Sequence, residues 1–221
     1  MEKAILWDLE CNMDGICSQL SFCEVNIKSN TMHEMHTHLI KDGWERLKPY
    51  EHEKNGKVLF LAMEKGQVQV STFFDAMMDF MRFARQRRLP IVSHSTDCDI
   101  EFLYKTDKHY KSGIFKHNPI HHPQDCCTSK MWESIVKQCS QRLITECSQK
   151  TFSLANHGVP GKGVAKLEHL VGVLLDGRKQ QHTSVHDIVD LFDILCLAHK
   201  MDNLKFPKDT FMIALPYNIV E

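Results

Sequence analysis

Three segments of this 221-residue chain place acids where they could do chemistry. ILWDLECN (5–12) sets Asp8 and Glu10 one residue apart at the end of an apolar run. IVSHSTDCDIEFL (91–103) sets Asp97 and Asp99 behind a second, shorter run, and HTSVHDIVDLFDIL (182–195) carries His182 five residues ahead of Asp187, with His186 beside it. Carboxylates gathered in space bind hard cations, and an imidazole with an ordinary pKa near 6.5 accepts a proton near neutrality. Each segment also has a plain structural explanation: a strand ending in solvent, an acid favoured at a helix N-terminus, a surface histidine.

The elements that carry these residues can be read from periodicity. If residues 4–11 form a strand, Ala4, Leu6, Asp8 and Glu10 share one face and Ile5, Trp7, Leu9 and Cys11 the other. Apolar residues on both faces of the first half mark a central strand, so the two carboxylates emerge at a sheet edge. Segments 4–11, 19–27 and 32–40, separated by MDG and KSN turns, predict a three-strand meander. At 71–89 the period changes to that of a helix: Phe73, Met77, Phe80, Met81 and Ala84 fall on one face, with Ser71 or Thr72 placed to cap it. PIVSHS (90–95) reads as a fourth strand, followed by a helix that Asp97 could cap and into whose interior Phe102 and Leu103 carry Asp99. Residues 105–125 read as a long connection, and 127–149, 164–175 and about 185–200 as helices, with Asp190 and Asp193 on the wetter side of the last. The sum is one α/β or α+β domain over 1–221 with a partly antiparallel sheet.

The D-x-E of the first strand, the H-S-x-x-C-D-x-x-F-L after a middle strand and the H-T-S-x-x-D-x-x-x-L of a late helix together resemble the three motifs of the DEDDh 3′–5′ exonucleases, which include the three-prime repair exonucleases. Order and spacing match from Ile5 to about Leu197, including KLEHLVGVLL upstream of the third motif. The resemblance implies an RNase H-like fold: a mixed sheet of three antiparallel strands plus parallel strands, flanked by helices. It implies metal ligands at Asp8, Glu10, Asp99 and Asp187, a general base at His182, and substrate contacts at Asn12, His94 and Ser95. Against the family pattern stand Ser95 in place of Asn, Cys98 in place of Phe, Ser184 in place of Ala, and Cys-Asn-Met-Asp-Gly after Glu10. These departures bear on subfamily and substrate preference, and they leave the acids and the histidine intact.

Four acids in one pocket repel unless cations lie among them, and hard oxygen donors select Mg²⁺ or Mn²⁺ over zinc. Two such ions roughly 3.5–4 Å apart can grip a phosphodiester during in-line displacement, with Asp8 as the natural bridge. The implied reaction is hydrolysis of single-stranded or otherwise 3′-ended nucleic acid, DNA or RNA, to nucleoside 5′-monophosphates. His186 competes with His182 as the base. It sits one residue before Asp187 and is therefore turned about 100° from it on a helix, whereas a loop position can reach over the site. A different class of function stays open, a binding or scaffolding module of the same fold with little turnover, as does an endonuclease. The full acid set argues against a binding module, since concentrated negative charge repels phosphate.

Composition narrows the rest. With 43% hydrophobic and 25% charged residues the chain can bury a sizeable core. No apolar run is long enough for a membrane span, and nine cysteines at irregular spacings without a secretory signal predict reduced thiols and an intracellular protein. A net charge of −1 means that a polyanion must be held locally, by metal or a basic patch. ANHGVPGKGVAK (155–166) fails the Walker pattern, though Lys162 and Lys166 could meet a nucleic-acid backbone. The arginines 82, 85, 87 and 88 suit the C-terminal dipole of their helix. HHPQDCC with Cys139, Cys147 and His157 lacks a zinc spacing. Trp7 is expected in the core, while Trp44 and Trp132 are open to base stacking.

Overall fold

A computed structural model describes residues 3–41, 43, 56, 59, 62–117, 120–121, 166–200 and 212–213. The expectations placed on Trp44, Trp132, Lys162, the helix at 127–149 and nearly all of the Cys/His-rich segment lie outside these residues.

The meander forms as the alternation predicts. Strand β1 (Lys3–Cys11) pairs antiparallel with β2 (Cys17–Asn26), and β2 pairs antiparallel with both β3 (Thr31–Met32) and β4 (His36–Ile40). The third predicted strand is thus broken at residues 33–35 into two pieces. Strand β5 (Gln69–Ser71) adds parallel to β4, and β6 (Ile91–Val92) adds parallel to β1, giving the order β5-β4-β2-β1-β6. The short edge strand β5 went unpredicted because Gln69 and Val70 are both exposed and show no burial pattern. With β1 inside the sheet, antiparallel to β2 and parallel to β6, the sheet is mixed, as expected.

Helix α1 (Phe73–Arg87) starts at Thr72, whose Oγ1 accepts the Asp75 N–H at 3.1 Å and donates to Asp75 Oδ2 at 2.7 Å. It ends where Arg88 turns left-handed, with the basic Arg85 and Arg87 in its last turn. Helix α2 (Thr96–Tyr110) has Ser95 at its N-cap position, so Asp97 lies in the first turn instead of capping it. The helix also runs well into the predicted connection. Leu103, Thr106 and Asp107 are buried, and Asp107 accepts from the Ser112 hydroxyl and from the backbone of Ile114 and Phe115, which turns the chain into α3 (Ile114–His117). A two-residue pair, β7 (Ile120–His121) with β8 (Met212–Ile213), forms a separate small sheet. Helices α4 (Leu167–Leu174) and α5 (Ser184–Lys200) follow the predicted ranges closely.

The two faces of β1 sort the helices. Ile5, Trp7 and Leu9 pack under α1, α2 and α3 with Phe80, Leu103 and Phe115, and the Trp7 and Phe80 rings lie 5.6 Å apart. Ala4 and Leu6 pack under α5 with Ile188, Leu191 and Leu195. Because Asp8 and Glu10 share the Ala4/Leu6 face, the helix that covers it is the one that carries Asp187. Among the described residues, no helix is long and apolar enough to cross a membrane.

Candidate metal centre

The register of β1 against β2 sets Asp8 opposite Ser21 and Glu10 opposite Gln19, so these four side chains emerge on one face. Buried polar groups there need partners, and the first turn of α5 supplies them. Gln19 Oε1 accepts the Ser184 N–H at 3.3 Å and the Ser184 hydroxyl lies 3.4 Å from it. Ser21 Oγ is 2.7 Å from Ser184 Oγ and donates to Thr37 Oγ1 at 3.0 Å. This seam docks the start of α5 on the sheet. Asp187 then sits in the first turn, where the helix N-terminus favours an anion, and Gln180 Nε2 donates to its Oδ2 at 2.7 Å. Replacing Ser184 with Ala is expected to cost about 1–2 kcal/mol by removing the seam's shared hydroxyl, lowering the melting temperature by about 3–6 °C in a domain of this size. Differential scanning calorimetry checks this, and an unchanged melting temperature would mean the seam is dispensable.

One carboxylate oxygen from each of Asp8, Glu10 and Asp187 falls within 4.8 Å of the others. Asp99 stands beside this group, with its Oδ2 accepting the Ser93 hydroxyl at 2.6 Å. Burial, then Asp187, Glu10 and Asp99 in that order, raises the Asp8 carboxyl well above its usual range. Burial also pushes Asp99 up to about 7, against the opposing hydrogen bond from Ser93. Asp8 Oδ2 is buried with no hydrogen-bond partner among the described residues. An all-oxygen donor set, mutually repelling and with a buried acceptor lacking a donor, fits a hard divalent cation.

The sign of the pH dependence follows. A carboxyl whose folded pKa exceeds its unfolded value holds its proton longer in the fold, so the metal-free protein loses stability as pH rises from about 4 through about 7. A cation must displace those protons and therefore binds better at higher pH. The Mn²⁺-induced rise in melting temperature should be larger at pH 8 than at pH 5.5, as read by thermal-shift titration. Equal shifts at both values would count against a carboxylate site.

His182 lies in the loop before α5, partly exposed, in a left-handed conformation (φ 52°), and makes no hydrogen bond among the described residues. His186 is committed elsewhere, with its Nδ1 2.7 Å from Thr183 Oγ1. Asn12 spends its side-chain oxygen on the β1–β2 turn, accepting the N–H groups of Asp14 at 2.9 Å and Ile16 at 3.0 Å. His94 is buried, and the Ser95 carbonyl accepts the Asp99 N–H at 3.1 Å. Asp190, expected on the wetter side of α5, is buried instead. Arg178 bridges it at 2.9 Å and Asp193 at 2.6 Å, which supplies the countercharge that makes burial tolerable. Sequence reasoning missed Gln19, Ser21, Ser93 and Gln180. The first two left a signal, polar residues alternating with Leu20 and Phe22 in a strand otherwise fit for burial.

No protein-family model matches the chain, and no curated protein matches it in sequence. Solved structures do. One, described as "3'-end specific recognition of histone mRNA stem-loop by 3'-exonuclease", aligns over 90% of this chain and 82% of its own, with TM-score 0.55 and 10% identity. A second, a full-length 3′-exonuclease, aligns over 100% of this chain and 93% of its own, with TM-score 0.55 and 11% identity. The chain thus has the α/β fold in which those 3′-exonucleases are built.

Proposed function

We propose that this protein is a divalent-metal-dependent 3′–5′ exonuclease of the DEDDh type that releases nucleoside 5′-monophosphates from DNA or RNA. The observation that carries the reading is the convergence of Asp8, Glu10 and Asp187 to within 4.8 Å, from a strand and a helix far apart in sequence. A shared fold with 3′-exonucleases supports it. Asp8, Glu10, Asp187 and the adjoining Asp99 would hold Mg²⁺ or Mn²⁺, two ions in all. Those ions would supply positive charge to the scissile phosphodiester and ease ionisation of the attacking water.

The side chains do the rest. Asp8, whose carboxyl feels Asp187, Glu10 and Asp99 alike, would help to hold the cations. Gln180 holds Asp187 in orientation, and Ser93 does the same for Asp99. His182, unencumbered in its loop, takes the proton of the attacking water, and the leaving 3′ oxygen is the terminus of the shortened strand. Asn12, His94 and Ser95 would be the substrate contacts. The test is digestion of 5′-labelled DNA and RNA oligonucleotides with Mg²⁺, with Mn²⁺ and with EDTA. A ladder shortening from the 3′ end that vanishes in EDTA is expected. Internal cuts, or full activity in EDTA, would overturn the proposal.

A further inference from the structure

Two cysteines face each other at the end of β1. In the register of β1 against β2, Cys11 stands opposite Cys17, and the shift between Glu10 and Cys11 leaves Ser18 without a counterpart. Both side chains belong to the face covered by α1 and α2, where Cys17 is fully buried and the partly exposed Cys11 packs against the same core. Antiparallel partners either exchange their own backbone hydrogen bonds or lie between the bonds of their neighbours. Here the Cys17 N–H is given to Thr106 Oγ1 at 2.9 Å, and the next bond toward the turn runs from the Asn12 N–H to the Ile16 carbonyl at 2.9 Å. The pair is therefore of the non-hydrogen-bonded kind, in which Cα atoms approach to about 4.5 Å and side chains come closest. That separation lies inside the span of about 4.4–6.8 Å that a disulfide bridges.

The surroundings hold the two residues in place. Thr106, whose hydroxyl donates to the Phe102 carbonyl at 2.7 Å, fixes Cys17 from α2, and the Cys17 thiol donates to the Gln19 carbonyl at 3.1 Å. The turn between them closes through Gly15 at φ 69°, a left-handed position that glycine adopts without strain. Access is divided between the partners: Cys11 can be reached from solvent, while Cys17 can be reached only from Cys11. Burial, then Glu10, Asp99 and Asp8, push the Cys11 thiol up, which slows its attack on an oxidant and leaves the end point to geometry. Cys23, further along β2, pairs with Leu6 and is buried in the opposite core, so it supplies a control within the same strand.

We infer that Cys11 and Cys17 form a redox-modification site that closes to an intrachain disulfide in the presence of small-molecule disulfides, fastening the β1–β2 turn next to Glu10. The Cys11 thiolate attacks one sulfur of the oxidant and expels the other as a thiolate; the Cys17 thiolate then attacks Cys11 Sγ in the mixed disulfide and expels the second. The two cysteine protons pass to the two leaving thiolates, and the two electrons lost by the pair reduce the oxidant. This chemistry stands apart from the nuclease reading. In the test, the protein is equilibrated in glutathione buffers of increasing oxidised fraction, remaining thiols are trapped in denaturant with N-ethylmaleimide, and the digest is mapped by mass spectrometry before and after reduction. Cys11 and Cys17 should lose their trapped form together and appear joined, with Cys23 trapped throughout. Cys17→Ser, which keeps a donor for the Gln19 carbonyl, should stop at the Cys11–glutathione mixed disulfide, and Cys11→Ser should leave Cys17 a thiol. In the joined protein, amide hydrogen exchange across residues 12–16 should slow several-fold relative to Cys17→Ser in the same buffer. A mixed disulfide as the end product on wild-type Cys11, a bond from Cys11 to any other cysteine, or both thiols surviving full oxidation of the glutathione would overturn the inference. A joined pair with unchanged exchange would overturn the fastening of the turn.

Discussion

Asp8→Asn is expected to abolish hydrolysis and, at the same time, to make the metal-free protein more stable. Asn keeps the shape of the side chain and removes the charge that Asp187, Glu10 and Asp99 oppose. With that repulsion relieved, the metal-free melting temperature should rise by about 2–4 °C at pH 8, the response of a domain of this size to about 1 kcal/mol. The catalytic effect has the opposite sign. In the proposed mechanism, loss of a cation ligand would forfeit several kcal/mol of transition-state charge stabilisation, so turnover should fall roughly a thousandfold or more. The Mn²⁺-induced thermal shift should fall with it. An ordinary core aspartate would behave differently, since its substitution would destabilise the protein and leave any metal response intact. A lowered melting temperature with an unchanged Mn²⁺ shift would therefore remove Asp8 from the centre.

His182→Ala should cost roughly a hundred- to ten-thousandfold in turnover, the usual worth of a positioned general base. The Mn²⁺ thermal shift should remain at its wild-type size, because in the proposed mechanism the imidazole accepts a proton and holds no cation. His186→Ala should retain turnover to within a few fold. Its Nδ1 is engaged by Thr183, and burial lowers its pKa against the opposing charge of Asp190, which makes it a structural part of the helix start. Single-turnover rates at saturating Mn²⁺ separate the two. If His186→Ala carried the larger loss, the roles would have to be exchanged and the loop would serve only to shape the turn before α5.

Much of the architecture was legible because burial leaves a periodic trace. The alternation in 4–11 assigned Ala4 and Leu6 to one face of β1 and Ile5, Trp7 and Leu9 to the other, and the two cores are divided along that line. The helical spacing of Phe73, Met77, Phe80 and Met81 marked the buried stripe of α1. Where there was no periodic burial there was no trace. Strand β5 is short and exposed, and the far half of α2 is polar on its outer side, with Lys105, Lys108 and His109 exposed, so the first was missed and the second read as connection. Asp190 was misplaced for a related reason: an acid reads as wet until its partner is known, and Arg178 comes from the preceding loop.

The sequence by itself determined that paired acids end a central strand, that a third acid opens a late helix, and that a histidine precedes it by five residues, since these are matters of residue type and spacing. Only the tertiary structure decided that Asp8, Glu10 and Asp187 meet while Asp99 turns toward Ser93, and that Gln19, Ser21 and Gln180 hold the arrangement. The reason is that strand alternation fixes which way a side chain leaves its own backbone, whereas the approach of two elements depends on the packing and the hydrogen bonds between them.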